Sequence, residues 1–313
     1  MILAVAGGVG GAKLASGLAM RLAPEELLVA VNTGDDFVHL GLHISPDIDT
    51  VLYWFSDLND AERGWGLADE TWNFMSALDR VGGPTWFQLG DRDLATHIER
   101  TRLLREGKSL SDVTEHLCRQ FGIRHRIVPM TNNEVRTIVH TDEGELAFQH
   151  YFVRRRCEPR VQRIEFAGAE LASISPQLDA ALSSSELKAI VICPSNPFLS
   201  IAPILATGNT RESIARSGVR VIAVSPIVAG KAIKGPAAKL MRELGRDVSA
   251  LGVAHHYRGL IDGILIDNLD RGLRSDIEAL GLRVAVTDTV MKNRGDQARL
   301  ADAVIGFAAS ISE

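Results

Sequence analysis

The sequence predicts an α/β protein: a Rossmann-like, doubly wound, mostly parallel sheet with a small antiparallel insertion. Three observations predict it. The chain opens with a short apolar run, four glycines in five positions and a helical leucine pattern. Short apolar runs then alternate with helical stretches toward both ends, as crossover helices between parallel strands require. Only the middle reads as strands joined by a tight turn. With 313 residues, 46% hydrophobic and 23% charged, the chain has a globular composition and reads as a single domain, 1–313.

The elements follow in order. Ile2 to Ala6 reads as a buried parallel strand. Gly7, Gly8, Gly10 and Gly11 follow it, and Ala12 to Leu22 reads as a helix with Leu14, Leu18 and Leu22 spaced by four. Strand, glycines and helix together hold phosphate, because backbone approaches closely and N–H groups face the anion. The dinucleotide fingerprint fails, since Lys13 stands where the third glycine belongs, and the Walker pattern fails around Ala12 and Leu14. The motif therefore indicates a phosphate-bearing ligand without naming it.

Leu27 to Val31 is a second strand, ending in Asn32-Thr33-Gly34-Asp35-Asp36. Thr85 to Leu89 is a third candidate, ending in Gly90-Asp91-Arg92-Asp93. Helices are predicted over Leu94 to Arg105 and Leu110 to Phe121, the second with a capping box of Ser109 and Asp112. Val135 to Thr141 and Leu146 to Val153 flank Asp142-Glu143-Gly144-Glu145 as a hairpin, and Val161 to Phe166 adds a strand. These make an antiparallel insertion over 130–170. Later strands are expected at 189–193, 219–224, 264–266 and 284–286, and helices near 210–217, 236–244, 249–259, 271–280 and 296–310.

A net charge of −5 argues against a nucleic-acid partner, and no apolar run is long enough to span a bilayer. The first strand begins at once, so no leader is expected. Three scattered cysteines, Cys118, Cys157 and Cys193, fit a reducing cytoplasm.

Polar clusters follow the strands, where open α/β sheets bind ligands. Three carry paired carboxylates: Asp35-Asp36, Asp47-x-Asp49 and Asp91-x-Asp93. Beside a phosphate site they suggest Mg²⁺, which takes one or two carboxylates and borrows phosphate oxygens; helix capping is the plainer role, notably for Asp47 beside Pro46. Cys193-Pro-Ser-Asn-Pro197 offers Ser195 and Asn196 as donors. The segment 225–236 brings Lys231 and Lys234 beside glycines, which suits a diphosphate. Trp54, Trp65, Trp72 and Trp86 lie in one stretch and suit core packing or a flat ring. His97 lacks a neighbouring nucleophile, and no grouping for covalent catalysis stands out.

Together the glycine motif, Asn32 to Asp36, Ser45-Pro-Asp-Ile-Asp-Thr-Val51, Gly90-Asp-Arg-Asp-Leu-Ala-Thr-His97, Phe148-Gln-His-Tyr-Phe-Val153, Cys193 to Pro197, Val224 to Ile227 and Lys234 to Pro236 resemble a known family. They resemble the 2-phospho-L-lactate transferase family of coenzyme F-420 biosynthesis, from residue 2 to about 290. One departure is visible: Asn132-Asn133 stand where relatives often carry acidic residues.

The resemblance implies a cytoplasmic, Mg²⁺-dependent transferase, expected to be a homodimer. Its donor is a guanosine diphosphate conjugate of 2-phospholactate, phosphoenolpyruvate or a phosphoglycerate; its acceptor is the deazaflavin Fo. The ribityl hydroxyl of Fo attacks the acid-side phosphorus and GMP leaves. By resemblance, Gly8, Val9, Gly10, Gly11 and Lys13 cradle the donor diphosphate, with Lys231, Lys234, Ser195 and Asn196 as further donor contacts. Asp49 and Asp91 are expected to be catalytic, with Asp49, Gln88 and Arg92 at the acceptor and Asp35, Asp36 and Asp49 at the metal. The alternative is a non-enzymatic regulator of the same superfamily that binds a nucleotide-sugar. A nicotinamide oxidoreductase is weaker, because the glycine fingerprint is incomplete.

Overall fold

The computed structural model describes residues 1–311. Its strands, in chain order, are β1 (Ile2–Ala6), β2 (Leu27–Val31), β3 (Phe37–His39), β4 (Leu42–Ile44), β5 (Arg126–Pro129), β6 (Arg136–Thr141), β7 (Gly144–Ala147), β8 (Val161–Ala167), β9 (Ala189–Ile192), β10 (Arg220–Val224), β11 (Ile227–Val228), β12 (Lys231–Ala232), β13 (Gly263–Asp267) and β14 (Arg283–Thr287). Seven of them form one parallel sheet in the order β14-β13-β10-β9-β1-β2-β5. The chain builds outward from β1 through β2 to β5, then returns to lay β9 on the other side of β1. The order therefore reverses between β1 and β9, where open α/β sheets bind ligands.

Side chains along these strands alternate between two cores, as the two-residue strand period dictates. Leu3 and Val5 face one core with Ile190 and Ile192. Ile2, Ala4 and Ala6 face the other with Ala189 and Val191. The second core is covered by α1 (Gly8–Ala19), α2 (Pro46–Phe55), part of α5 (Leu110–Gln120) and the last helix, Arg294–Ser310. Between α2 and α5 run α3 (Asn73–Arg80) and α4 (Asp91–Arg105). Ser109 caps α5 by accepting the Asp112 N–H, and Asp112 returns the bond, as the sequence predicts.

Four expectations change. The helix does not wait for Ala12: α1 begins at Gly8, so Gly8, Gly10 and Gly11 lie in its first turn and Gly7 is the extended residue that precedes it. Thr85 to Leu89 is not a strand. Gly82-Gly83-Pro84 precedes it, and Phe87 and Leu89 pack into a small satellite core with Ile44 and Met75. The edge beside β2 belongs to β5, a four-residue strand ending at Pro129 that was too short to see. Finally, β6, β7 and β8 form the expected antiparallel sheet, but β7 stops at Ala147. His150–Arg154 is instead a helical turn of π type, which stacks Phe148 on Phe152 with ring centres 5.3 Å apart.

Candidate active site

A cleft of about 530 Å³ opens over the C-terminal ends of β1 and β9. Its floor is the first turn of α1, with Gly8, Val9, Gly10 and Lys13 on the lining. Two glycines are dictated by geometry. Gly8 holds a φ of +63°, and a β-carbon on Gly10 would collide with the Pro194 carbonyl oxygen. Gly11 packs beneath the cleft against Ala6 and Ser195. The Gly7 N–H donates to Ser195 Oγ at 3.2 Å and the Gly8 N–H to Asp47 Oδ1 at 2.7 Å. The remaining N–H groups of the first turn have no intrahelical acceptor and suit an anion. Asn196 spends Oδ1 on the N–H groups of Phe198 and Leu199, while its Nδ2 is buried and unpartnered on the cleft wall.

The carboxylates divide into two groups. Asn32, at the end of β2, donates through Nδ2 to Asp35 Oδ1 at 2.9 Å and to Asp47 Oδ2 at 3.0 Å. Both acids are buried and line the cleft. Burial, then the charges of Asp47 and Asp36, hold the Asp35 carboxyl well above its ordinary value. Burial pushes Asp47 up to about 6, against the hydrogen bonds from Asn32 and Gly8.

The second group belongs to α2 and α4. Asp93, His97 and Arg100 recur at one helical face of α4 and meet Asp49 and Tyr53 of α2. Arg100, fully buried, donates to both oxygens of Asp49, through Nη1 at 3.1 Å and through Nη2. Nη1 also reaches His97 Nδ1 at 3.2 Å, which makes that nitrogen an acceptor and leaves Nε2–H facing Asp93 at 3.3 Å. Tyr53 donates to the other oxygen of Asp93. Burial raises the Asp49 carboxyl against the pull of Arg100 and His97. Burial acts on Asp93 in the same sense, but His97, Tyr53 and Arg100 together hold it below its ordinary value.

The fit of these donors to Mg²⁺ can be judged residue by residue. Asp49 is paired through both oxygens with the Arg100 guanidinium, whose positive charge already compensates it and stands in the way of a cation, so it fits a metal less well than Asp35 and Asp47, whose partners are neutral N–H groups. Asp36 stands off the cleft and accepts from Ser45 Oγ at 2.7 Å, with His43 Nε2 at 3.1 Å. Asp35 fits, and its partner is Asp47 rather than Asp36 or Asp49. Among the described residues no three His, Cys, Asp or Glu side chains are arranged to hold one metal ion. Magnesium needs only one or two carboxylates when phosphate oxygens complete its shell.

Other predicted residues scatter. Lys13, Lys234, Ser195, Asn196 and Gln88 line the cleft; Lys231, Arg92 and Asp91 do not. Lys13 donates to the Met291 carbonyl at 2.8 Å, and burial and the charge of Lys234 hold its ammonium below the ordinary value. Asp91 serves α3: its carboxylate accepts the N–H groups of Asn73 and Phe74 and the Thr71 hydroxyl. Arg92 donates its N–H to Glu70. Asn132 accepts from Ser111 and Asn133 from Ser173, so this pair braces loops away from the cleft. Sequence reasoning named Asp93 only as one half of a carboxylate pair, and missed Asn32, His97 and Arg100 as parts of the site. The i, i+4, i+7 spacing on α4 was the available signal.

A phosphate-type helix start, flanking cations and buried carboxylates, all in one cleft at the switch point of a doubly wound sheet, mark an α/β protein built to bind a phosphate-bearing ligand. The chain belongs to the 2-phospho-L-lactate transferase CofD family, whose model matches residues 2–301. It is 40% identical over 299 residues to a 2-phospho-L-lactate transferase of Methanosarcina mazei, covering 96% of this chain and 97% of that one. It is also 40% identical over 316 residues to a phosphoenolpyruvate transferase of Streptomyces griseus, covering 99% of each. Among solved structures, a UPF0052-family protein of Bacillus halodurans superposes with a TM-score of 0.62 at 13% identity, covering 97% of this chain and 98% of that one. That likeness shows the fold.

Proposed function

We propose that this transferase moves a phosphorylated three-carbon acid from a guanosine diphosphate conjugate onto the ribityl hydroxyl of the deazaflavin Fo, with release of GMP. One observation carries the reading: the glycine turn of α1 and the clamped carboxylate of Asp49 face the same cleft. The hydroxyl oxygen bonds to the acid-side phosphorus and gives up its proton to water, the bond from that phosphorus to the bridging oxygen breaks, and GMP leaves with the electron pair. Such transfers need positioning and charge neutralisation more than covalent catalysis.

The first turn of α1, Lys13, Lys234 and Asn196 Nδ2 hold the donor. Asp49, fixed by Arg100, accepts a hydrogen bond from the attacking hydroxyl and orients it. Asp35 and Asp47 would hold Mg²⁺, which when bound neutralises charge on the diphosphate. The aromatic side of the cleft, with Phe87, Phe148 and Phe152, takes the flat ring, and Gln88 lies beside it.

The test is a fluorescence titration with Fo followed by mass spectrometry of the product formed with each of the three donors. Binding of Fo in the micromolar range and a phosphodiester product support the reading. Tight binding of a nucleotide-sugar without binding of Fo would favour the regulator instead.

A further inference from the structure

Arg63 has no part in the donor, acceptor or metal contacts above, yet it lines the same cleft. It sits on a closed turn. The Asp60 N–H donates to the Gly66 carbonyl at 3.1 Å, the Gly64 N–H to the Asp60 carbonyl at 2.9 Å, and the Arg63 N–H to Asp60 Oδ1 at 2.8 Å. Its guanidinium carbon lies 5.1 Å from the Trp65 ring centre and 4.9 Å from that of Trp72. Nη2 is 3.2 Å from Asp60 Oδ2. Two rings and one carboxylate therefore fix the plane of the cation. The remaining terminal nitrogen, Nη1, is buried and has no hydrogen-bond partner. A buried donor on a permanent cation is costly unless an acceptor arrives.

The tip of this turn, Gly64, packs against Lys234 Nζ of the opposite segment, which also lines the cleft. An anion lodged there would have Lys234 on one side and the turn that carries Arg63 on the other. The proposed donor carries two anionic groups, a diphosphate and the carboxylate of its acid. The diphosphate already has the helix start, Lys13 and Lys234. The carboxylate has none of these.

We propose that Arg63 binds the carboxylate of the donor's three-carbon acid through Nη1, and so selects an acid conjugate over a plain nucleoside diphosphate. This rests on the transferase reading above. The planar guanidinium suits a carboxylate better than a flexible ammonium does.

The experiment compares binding of GDP and of the 2-phospholactate conjugate of GDP by calorimetry, in the intact chain and in Arg63→Met and Arg63→Lys. Methionine keeps an unbranched stem between the two tryptophans, and near-wild-type thermal unfolding confirms folding. The wild type is expected to prefer the conjugate, and Arg63→Met to lose roughly 10–100-fold in conjugate affinity with GDP affinity kept within about twofold. Arg63→Lys should fall between. An unchanged conjugate affinity, or an equal loss for GDP, overturns the assignment. Turnover separates the two readings: a wild type that binds the conjugate through Arg63 but never transfers to Fo would sink the proposed acceptor and leave this inference standing.

Discussion

Arg100 grips both carboxylate oxygens of Asp49, and both side chains are buried. Removing one member of such a pair strands the other charge, at a cost of about 3–5 kcal/mol. Arg100→Met is therefore expected to lower the unfolding temperature by roughly 10 °C. Asp49→Asn strands Arg100 in the same way and also replaces one carboxylate oxygen by an amide donor, which removes the negative charge that faces the cleft. Among molecules still folded, its kcat should fall by about 100-fold or more. Unfolding curves and single-turnover rates measured on the same preparations check this. Near-wild-type turnover in folded Asp49→Asn removes Asp49 from the mechanism.

Asp91 is expected to behave in the opposite way. Its carboxyl is held down to about 2, first by the Thr71 hydroxyl and then by the Phe74 N–H. A depressed value means that the folded state prefers the charged form. The stabilisation is present above the ordinary carboxyl value of 3.8 and is lost as pH falls toward 2. Asp91→Ala should lower the unfolding temperature at neutral pH and lose most of that difference by about pH 2. Because Asp91 caps α3 away from the cleft, kcat should stay within about threefold of wild type. A collapse of kcat with unchanged stability would restore Asp91 to the catalytic group.

The contrast between Asp49 and Asp91 shows what the sequence could carry. Strands with five-residue apolar runs, such as β1 and β2, were legible because burial on both faces leaves no polar position. The glycine motif located the ligand end of the sheet for the same physical reason, close backbone approach. Two paired acids looked alike on paper, yet Asp49 meets Arg100 across 51 residues while Asp91 turns back to Asn73 and Phe74. Only tertiary packing decides between those outcomes. Thr85 to Leu89 misled because a short apolar run serves a satellite core as well as a strand. β5 escaped because an edge strand ending in proline carries little pattern.

Gly10→Ala offers a test whose sign is informative. In an open helix this change stabilises, by about 1 kcal/mol. Here the new methyl would meet the Pro194 carbonyl, so α1 must lift from the loop that follows β9. The variant should be less stable by about 1–3 kcal/mol. GDP affinity should fall more than tenfold while Fo affinity is kept, because the displaced N–H groups belong to the donor side. Denaturant unfolding and parallel titrations with GDP and Fo measure both effects. A stabilised variant with normal GDP binding would show that the close approach is not needed.

The proposed Mg²⁺ site at the buried pair Asp35 and Asp47 is expected to couple metal binding to pH. Asp47 stands at about 6 against an ordinary 3.8, chiefly through burial, and Asp35 is shifted in the same direction. A raised value means that the folded state binds its proton more tightly than the unfolded chain does. The associated stability is fully present below about pH 4 and is lost as pH rises through 6. A divalent cation held by these acids would replace the proton, so Mg²⁺ should raise the unfolding temperature more at pH 7.5 than at pH 5.5, and its binding should release protons. Asp47→Asn removes one of the two charges. The metal-free variant should then unfold about 2–6 °C higher than wild type at pH 7.5 and lose the response to Mg²⁺. Thermal scans across pH, with and without Mg²⁺, measure this directly. An equal Mg²⁺ response at pH 5.5 and 7.5, or one retained in Asp47→Asn, would place the cation elsewhere in the cleft.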